Sequence, residues 1–225
     1  MKSEAYLKTH PITPKGFFVF GLQRSGTNYV QKLMELNFVE GQTRAAWKHR
    51  LSVWEEEHLD QKIKERVIFV IHKHPYTWIE SIAKRGGVDY VSAQTKYPAK
   101  EFDDEEQRES ALNGFNVVNL ARTWQEHYDN WVLYPPEYIK KDMVHVWYED
   151  ILNDDDRDNF LCIIRDVYGF TPKVEIHPIY GLHQWVNPTK VGMSGKFSEG
   201  KKTYYMNKSH SLTKNQVRLI DEIVS

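Results

Sequence analysis

Residues Phe17–Phe20 are a short apolar run, Gly21–Asn28 read GLQRSGTN, and Tyr29–Leu36 continue at helical spacing. A buried strand that passes through a glycine-spaced loop straight into a helix restricts the chain to few folds, because the strand must be covered on both faces. The nucleotide-binding version of such a loop is GxxxxGK[ST], whose lysine reaches the β and γ phosphates and whose hydroxyl holds magnesium. Both glycines keep that spacing here, but Thr27 stands where the lysine would be. Backbone N–H groups and a helix N-terminus still receive an anion, since that ability comes from geometry. Arg24 supplies a cation from inside the loop, which suits one phosphate-like group rather than a triphosphate with its metal.

The 225 residues are enough for one α/β domain with a single core, and residues 1–225 are read as one domain. Thirty Lys and Arg against 31 Asp and Glu leave a net charge of -1, which argues against a general nucleic-acid surface. Acid is concentrated in Glu101–Glu109, most simply a solvated loop and helix start, while cations surround the loop. The single cysteine, Cys162, has no partner for an internal disulfide, and its apolar helical surroundings predict a buried thiol. No stretch resembles a signal peptide or reaches the apolar length of a membrane span, so a soluble, cytoplasmic protein is expected.

Val67–Ile71 is a second continuous apolar run and Met143–Trp147 a weaker third. Helical spacing is predicted over Asn28–Leu36, Pro75–Lys84, Glu109–Leu133 and Asp155–Tyr168, and in a last helix opened by Thr213 and Gln216 in capping-box spacing. This order predicts an α/β fold, a three-layer αβα arrangement with a central, mainly parallel sheet and its ligand at the carboxyl ends of the strands. Residues 86–108 exceed the length of ordinary connections, more than about 15 residues without a periodic pattern. They are read as a flexible or lid segment, with Tyr90, Tyr97 and Phe102 as its apolar contacts.

Past the second strand come His72, Lys73, His74 and Pro75, then Trp78 and Ser81 on the next helix. Residues beyond a strand's carboxyl end face the same crevice as the first loop, so Lys73 and Ser81 are candidates for a second anionic group. A metal site at His72 and His74 is discounted, because no third ligand accompanies them at sensible spacing. The ordered combination of an RSGT loop, a strand ending in basic-x-Pro and a serine eight positions after the basic residue resembles the sulfotransferases that use 3'-phosphoadenosine 5'-phosphosulfate. The resemblance spans roughly residues 16–36, 66–85 and 143–152. It implies a P-loop nucleoside-triphosphate-hydrolase-like fold, that sulfate donor as co-substrate, and no metal.

Carried over, Arg24, Ser25, Gly26, Thr27 and Asn28 hold the 5'-phosphosulfate, and Lys73 and Ser81 the 3'-phosphate. Lysine at position 73 replaces the family's usual arginine, keeping the charge without the bidentate fork. Tyr29 falls where the family often stacks an aromatic on adenine, and Tyr148, in Tyr148-Glu149-Asp150, matches a tyrosine near the base. One of Lys196, Lys201 and Lys202 answers to a C-terminal basic loop. The family often places a lysine and a histidine after a strand that here would be Thr43–Trp47. Lys48 and His49 take those roles, His49 as general base and Lys48, with Arg24, for charge stabilisation, although the family's commoner pattern separates the two by one residue. Adjacent side chains on an extended segment point opposite ways, which bears on whether both reach one site. Glu55–Glu57 are the fallback base. Trp47, Trp54 and Trp78 are read as core sooner than as acceptor pocket.

The expected activity is transfer of a sulfuryl group to a hydroxyl or amine of a small-molecule or glycan acceptor. The alternatives are a kinase or nucleotide hydrolase with an aberrant loop, and a non-catalytic anion-binding relative. Neither the acceptor's identity nor the oligomeric state is specified by these residues.

Overall fold

The computed structural model describes residues 14–43, 48–49, 51, 63, 65–83, 114–140, 142–173, 207–208 and 210–224. Strands β1 (Phe17–Phe20), β2 (Val67–His72) and β3 (Met143–Trp147) pair in parallel in the order β1-β2-β3. Phe17 lies opposite Val67 and Phe20 opposite Val70, while Ile68 faces Met143 and His72 faces Trp147. Every residue of β1 and β2 is buried, which is why both read as unbroken apolar runs instead of alternating ones. β2 runs one residue past the expected Ile71, so His72 belongs to the sheet. Next to β1, Gln42 forms a parallel bridge to Phe17 and the Thr43 amide donates to the Phe17 carbonyl at 2.8 Å. Residues 44–47, the rest of the strand expected there, lie outside the described residues, as does the expected lid at 86–108.

The helices whose bounds lie among the described residues are α1 (Thr27–Asn37), α2 (Pro75–Ala83), α3 (Gly114–Tyr128), α4 (Glu137–Lys140), α5 (Asp154–Tyr168) and α6 (Lys214–Asp221). A 3-10 turn at Asp150–Leu152 leads into α5. The expected helix to Leu133 ends in two stages: α3 stops at Tyr128, and Asp129–Leu133 continue as one π-helical turn closed by the Tyr134 amide on the Asp129 carbonyl at 2.9 Å. Pro135 and Pro136 follow, and the residue before a proline is pushed out of helical conformation. Both later helices start on their own side chains. Asn153 accepts from the amides of Asp155 and Asp156, and Thr213 and Gln216 form the expected capping box.

Alternation along the strands divides the core. Phe17, Val19, Phe69, Ile71 and Val146 pack with Val30, Leu33 and Met34 of α1 and Leu161 and Ile164 of α5. The opposite face sends Phe18, Phe20, Ile68, Val70 and Met143 against Trp131 and Ile139. A third cluster joins Trp78, Ile79 and Ile82 of α2 to Leu120, Ala121 and Trp124 of α3 and to Leu212 and Ile220. The described residues are therefore mixed α/β, with a three-stranded parallel sheet and helices against both faces. Cys162 is half-buried rather than buried, because the inward positions of α5 at this level are Leu161 and Ile164. No helix among the described residues is long and apolar enough to cross a membrane.

Phe69 is fully buried at the centre of the sheet and meets Phe17 edge-on at 5.7 Å. Phe69→Ala is expected to lower unfolding free energy by about 3–5 kcal/mol, read from urea denaturation midpoints at unchanged slope.

Candidate anion-binding and catalytic site

The loop from Gly21 to Gly26 is held by its own backbone and by three other parts of the chain. The Ser25 hydroxyl donates to the Leu22 carbonyl at 2.7 Å, closing the turn from within. Arg24 has φ 66, a left-handed conformation uncommon for a residue with a side chain. Gly26 has φ 96, and a Cβ there would lie 2.2 Å from the Tyr148 ring. Its glycine is thus required twice, by backbone angle and by the ring pressed against it. The amides at the start of α1, Thr27 and Asn28, project out of the helix end by helical geometry, at the positive end of its dipole. Trp78 Nε1 donates to the Gln23 carbonyl at 2.8 Å, so this tryptophan is core and also fastens the loop to α2.

Lys48 and His49 sit in a turn, not on an extended segment, and both reach the loop. The Gly21 amide donates to the Lys48 carbonyl at 3.0 Å, and the Lys48 ammonium donates to Asn28 Oδ1. His49 Nδ1 lies 2.8 Å from the Gly21 carbonyl oxygen. A carbonyl only accepts, so Nδ1 carries the hydrogen and the neutral ring keeps its lone pair on Nε2. Burial pushes His49 down to about 4, the Lys48 charge adding to the effect and the Gly21 carbonyl opposing it. At neutral pH the imidazole is uncharged, the form a general base requires.

The two groups of residues assigned to separate phosphates meet. Arg24 Nε donates to Ser81 Oγ across a long 3.4 Å, although 57 positions separate them. Arg24 is exposed and Ser81 buried, so the guanidinium spans the mouth of the loop toward α2. Lys73 is buried, its ammonium 5.6 Å from the centre of the Tyr148 ring. Its carbonyl accepts from Trp124 Nε1 at 2.8 Å, which fixes the β2 end against α3. Tyr148 and Tyr29 are buried and meet edge to face at 5.9 Å, and the Tyr29 hydroxyl reaches the Ile151 carbonyl at 3.4 Å. Both tyrosines thus form the floor beneath the loop. Ser25 and Thr27 are buried as well, whereas Arg24 and Asn28 are the loop's exposed side chains.

Glu149, quoted in the sequence only as Tyr148's neighbour, is a structural member of the site. Its Oε1 accepts from the His74 amide at 3.0 Å and from Thr77 Oγ1 at 2.8 Å, holding the start of α2. Burial raises its pKa, opposed by those hydrogen bonds and by the nearby Lys73 charge. The signal for it was an acid directly after a strand end, in line with a helix start that lacks a capping side chain of its own. Trp47, Trp54, Glu55–Glu57 and the lysines at 196, 201 and 202 lie outside the described residues. Set against protein-family models, curated proteins and solved structures, the chain matches none.

Gly26→Ala forces a methyl group into the Tyr148 ring at a φ unfavourable for alanine. A loss of about 2 kcal/mol or more is expected in urea denaturation. Burial also pushes His74 down to about 4, His127 to about 3 and His72 well below the ordinary value, in the same direction as His49. These groups bind more protons unfolded than folded, so their contribution is intact above about pH 6.5 and drains away as pH falls toward 4 and 3. The raised Glu149 opposes this in part. For the wholly buried His127 the slope approaches about 1.4 kcal/mol per pH unit. Stability measured at pH 7 and 5 should fall on acidification, and should fall less in His127→Phe.

Proposed function

We propose that this chain transfers a sulfuryl group from 3'-phosphoadenosine 5'-phosphosulfate to the hydroxyl, or the amine, of a small-molecule or glycan acceptor, on a three-layer, P-loop-like αβα fold. The observation that supports this best is the attachment of Lys48 and His49 to the loop. A neutral imidazole of defined tautomer lies against the Gly21 carbonyl, and the Lys48 ammonium against the Asn28 side chain at the start of α1. The absence of a lysine at position 27 and the inward hydroxyl of Ser25 fit a donor that needs neither a triphosphate grip nor a metal ligand from this loop.

In this reading the acceptor oxygen attacks sulfur in line while His49 Nε2 takes its proton. The new S–O bond forms as the bond from sulfur to the 5'-phosphate oxygen breaks, and the electron pair leaves on that phosphate. Arg24 and Lys48 stabilise the charge moving onto it, at about 3–4 kcal/mol for each preorganised donor. Ser81 and Lys73 serve the 3'-phosphate, Ser81 through its hydroxyl and Lys73 through its field, since its ammonium is buried beside Tyr148.

The product 3',5'-bisphosphoadenosine should raise the melting temperature, the stabilisation reaching about 2.7 kcal/mol at one hundred times its Kd. Arg24→Ala and Ser81→Ala should weaken that shift. His49→Ala should keep it while abolishing transfer of labelled sulfuryl in an acceptor screen. With His49 pushed down to about 4, kcat/KM should stay level from pH 8 to well below 6.5. Failure of the bisphosphate to shift the melt, or magnesium-dependent ATP turnover in its place, overturns the assignment. Turnover that survives His49→Ala removes the base.

A further inference from the structure

A cationic and an acidic side chain are buried together at the carboxyl end of β2. Lys73 is 2% and Glu149 3% exposed. The register that sets His72 opposite Trp147 carries on beyond the strands: the Tyr148 amide donates to the His72 carbonyl at 2.8 Å, and the His74 amide donates to Glu149 Oε1 at 3.0 Å. Lys73 lies between those two bonds, its ammonium 5.6 Å from the centre of the Tyr148 ring. Backbone pairing therefore places lysine and glutamate at one strand end.

The Glu149 carboxyl group sits at the start of α2, the helix that also touches the anion loop through Trp78 and Ser81. A helix start just past a parallel strand is a place where phosphates dock. Here it is taken, since Glu149 Oε1 accepts from Thr77 Oγ1 at 2.8 Å as well as from the His74 amide. Capping alone does not call for this residue: a neutral Asn, Ser or Thr caps as well without bringing a carboxylate into the interior. The cap uses one of its oxygens, and Oε2 is buried with no hydrogen-bond partner among the described residues. Burial works against its charge, while the bonds from Thr77 and His74 and the Lys73 charge work for it. A charge kept here acts strongly on an arriving anion, because water and salt screen it poorly.

We propose that Glu149 is a specificity-determining residue of the anion site, a built-in anion that closes the start of α2 to a ligand phosphate and offsets Lys73. This role rests on the reading of the site as anion-binding, and not on the identity of the donor. An incoming phosphate or sulfate meets its cations at Arg24 and Lys48, on the loop, and feels Lys73 only as the remainder that Glu149 leaves. A product carrying two phosphates is held less tightly than the cations alone would hold it, which favours its release.

Glu149→Gln keeps the shape and the oxygen that accepts from His74 and Thr77, and removes the charge. The full chain and this variant are titrated with inorganic phosphate and with 3',5'-bisphosphoadenosine at pH 7 and fixed ionic strength. Kd should be at least threefold lower in the variant. A cap without an electrostatic role predicts no such gain, so a smaller drop, no change or a rise in a variant that melts within about 5 °C of the parent overturns the assignment. If the variant melts lower than that, Lys73→Met combined with Glu149→Gln removes both charges together and decides in its place. A Kd within threefold of the parent then supports the offset, and a larger rise overturns it. Phosphate binding without bisphosphate binding overturns the proposed donor, while the role of Glu149 is still decided from phosphate. Neither probe binding to parent or variant overturns both.

Discussion

The contact between the Tyr148 ring and the backbone of Gly26 organises the rest of the site. The ring lies where any Cβ at position 26 would be, so loop and aromatic surface approach as closely as backbone permits. Tyr148 is joined to β2 through its amide on the His72 carbonyl at 2.8 Å, and its face receives the Lys73 ammonium. Tyr29 of α1 meets the same ring edge to face at 5.9 Å. One side chain therefore touches the first loop, the helix that follows it and the end of the central strand.

Around that ring, charge is managed by burial. Lys73 and Glu149 are removed from water close to one another, where Coulomb interactions are stronger than in solvent and isolated ions are costly. The buried histidines are likewise pushed toward the neutral form, because burial disfavours their charged form. Arg24 is the exception, exposed and with its Nε 3.4 Å from Ser81 Oγ.

Much of this was legible in the amino-acid order. The three strands, the starts of α1 and α2, and the Thr213–Gln216 box follow from local rules: apolar runs, a proline at a first turn, a reciprocal cap. The π-helical close of α3 was not, since periodicity through Trp131 continues unbroken and only the packing shows the wider turn. Cys162 was misjudged because neighbouring helical positions differ by a full step around the axis, and its surroundings in sequence are not its surroundings in space. The adjacency of Lys48 and His49 looked like an obstacle while they were assumed to be extended, and a turn removes it. The packing of His127 against His72 was not legible either, since His72 was weighed only beside its sequence neighbour His74.

The parallel sheet also determines when the site exists. Phe17 finds Val67 and Ile68 finds Met143 only after long stretches of chain have been closed into loops, the kind of pairing that makes folding slow. The loop from Gly21 to Gly26 is local, but the ring it rests on arrives with the third strand. A partly folded chain therefore holds the glycine motif without a floor beneath it. On the proposed reading, anion affinity appears only once the third strand has paired, so ligand binding would report the completed sheet rather than the loop alone.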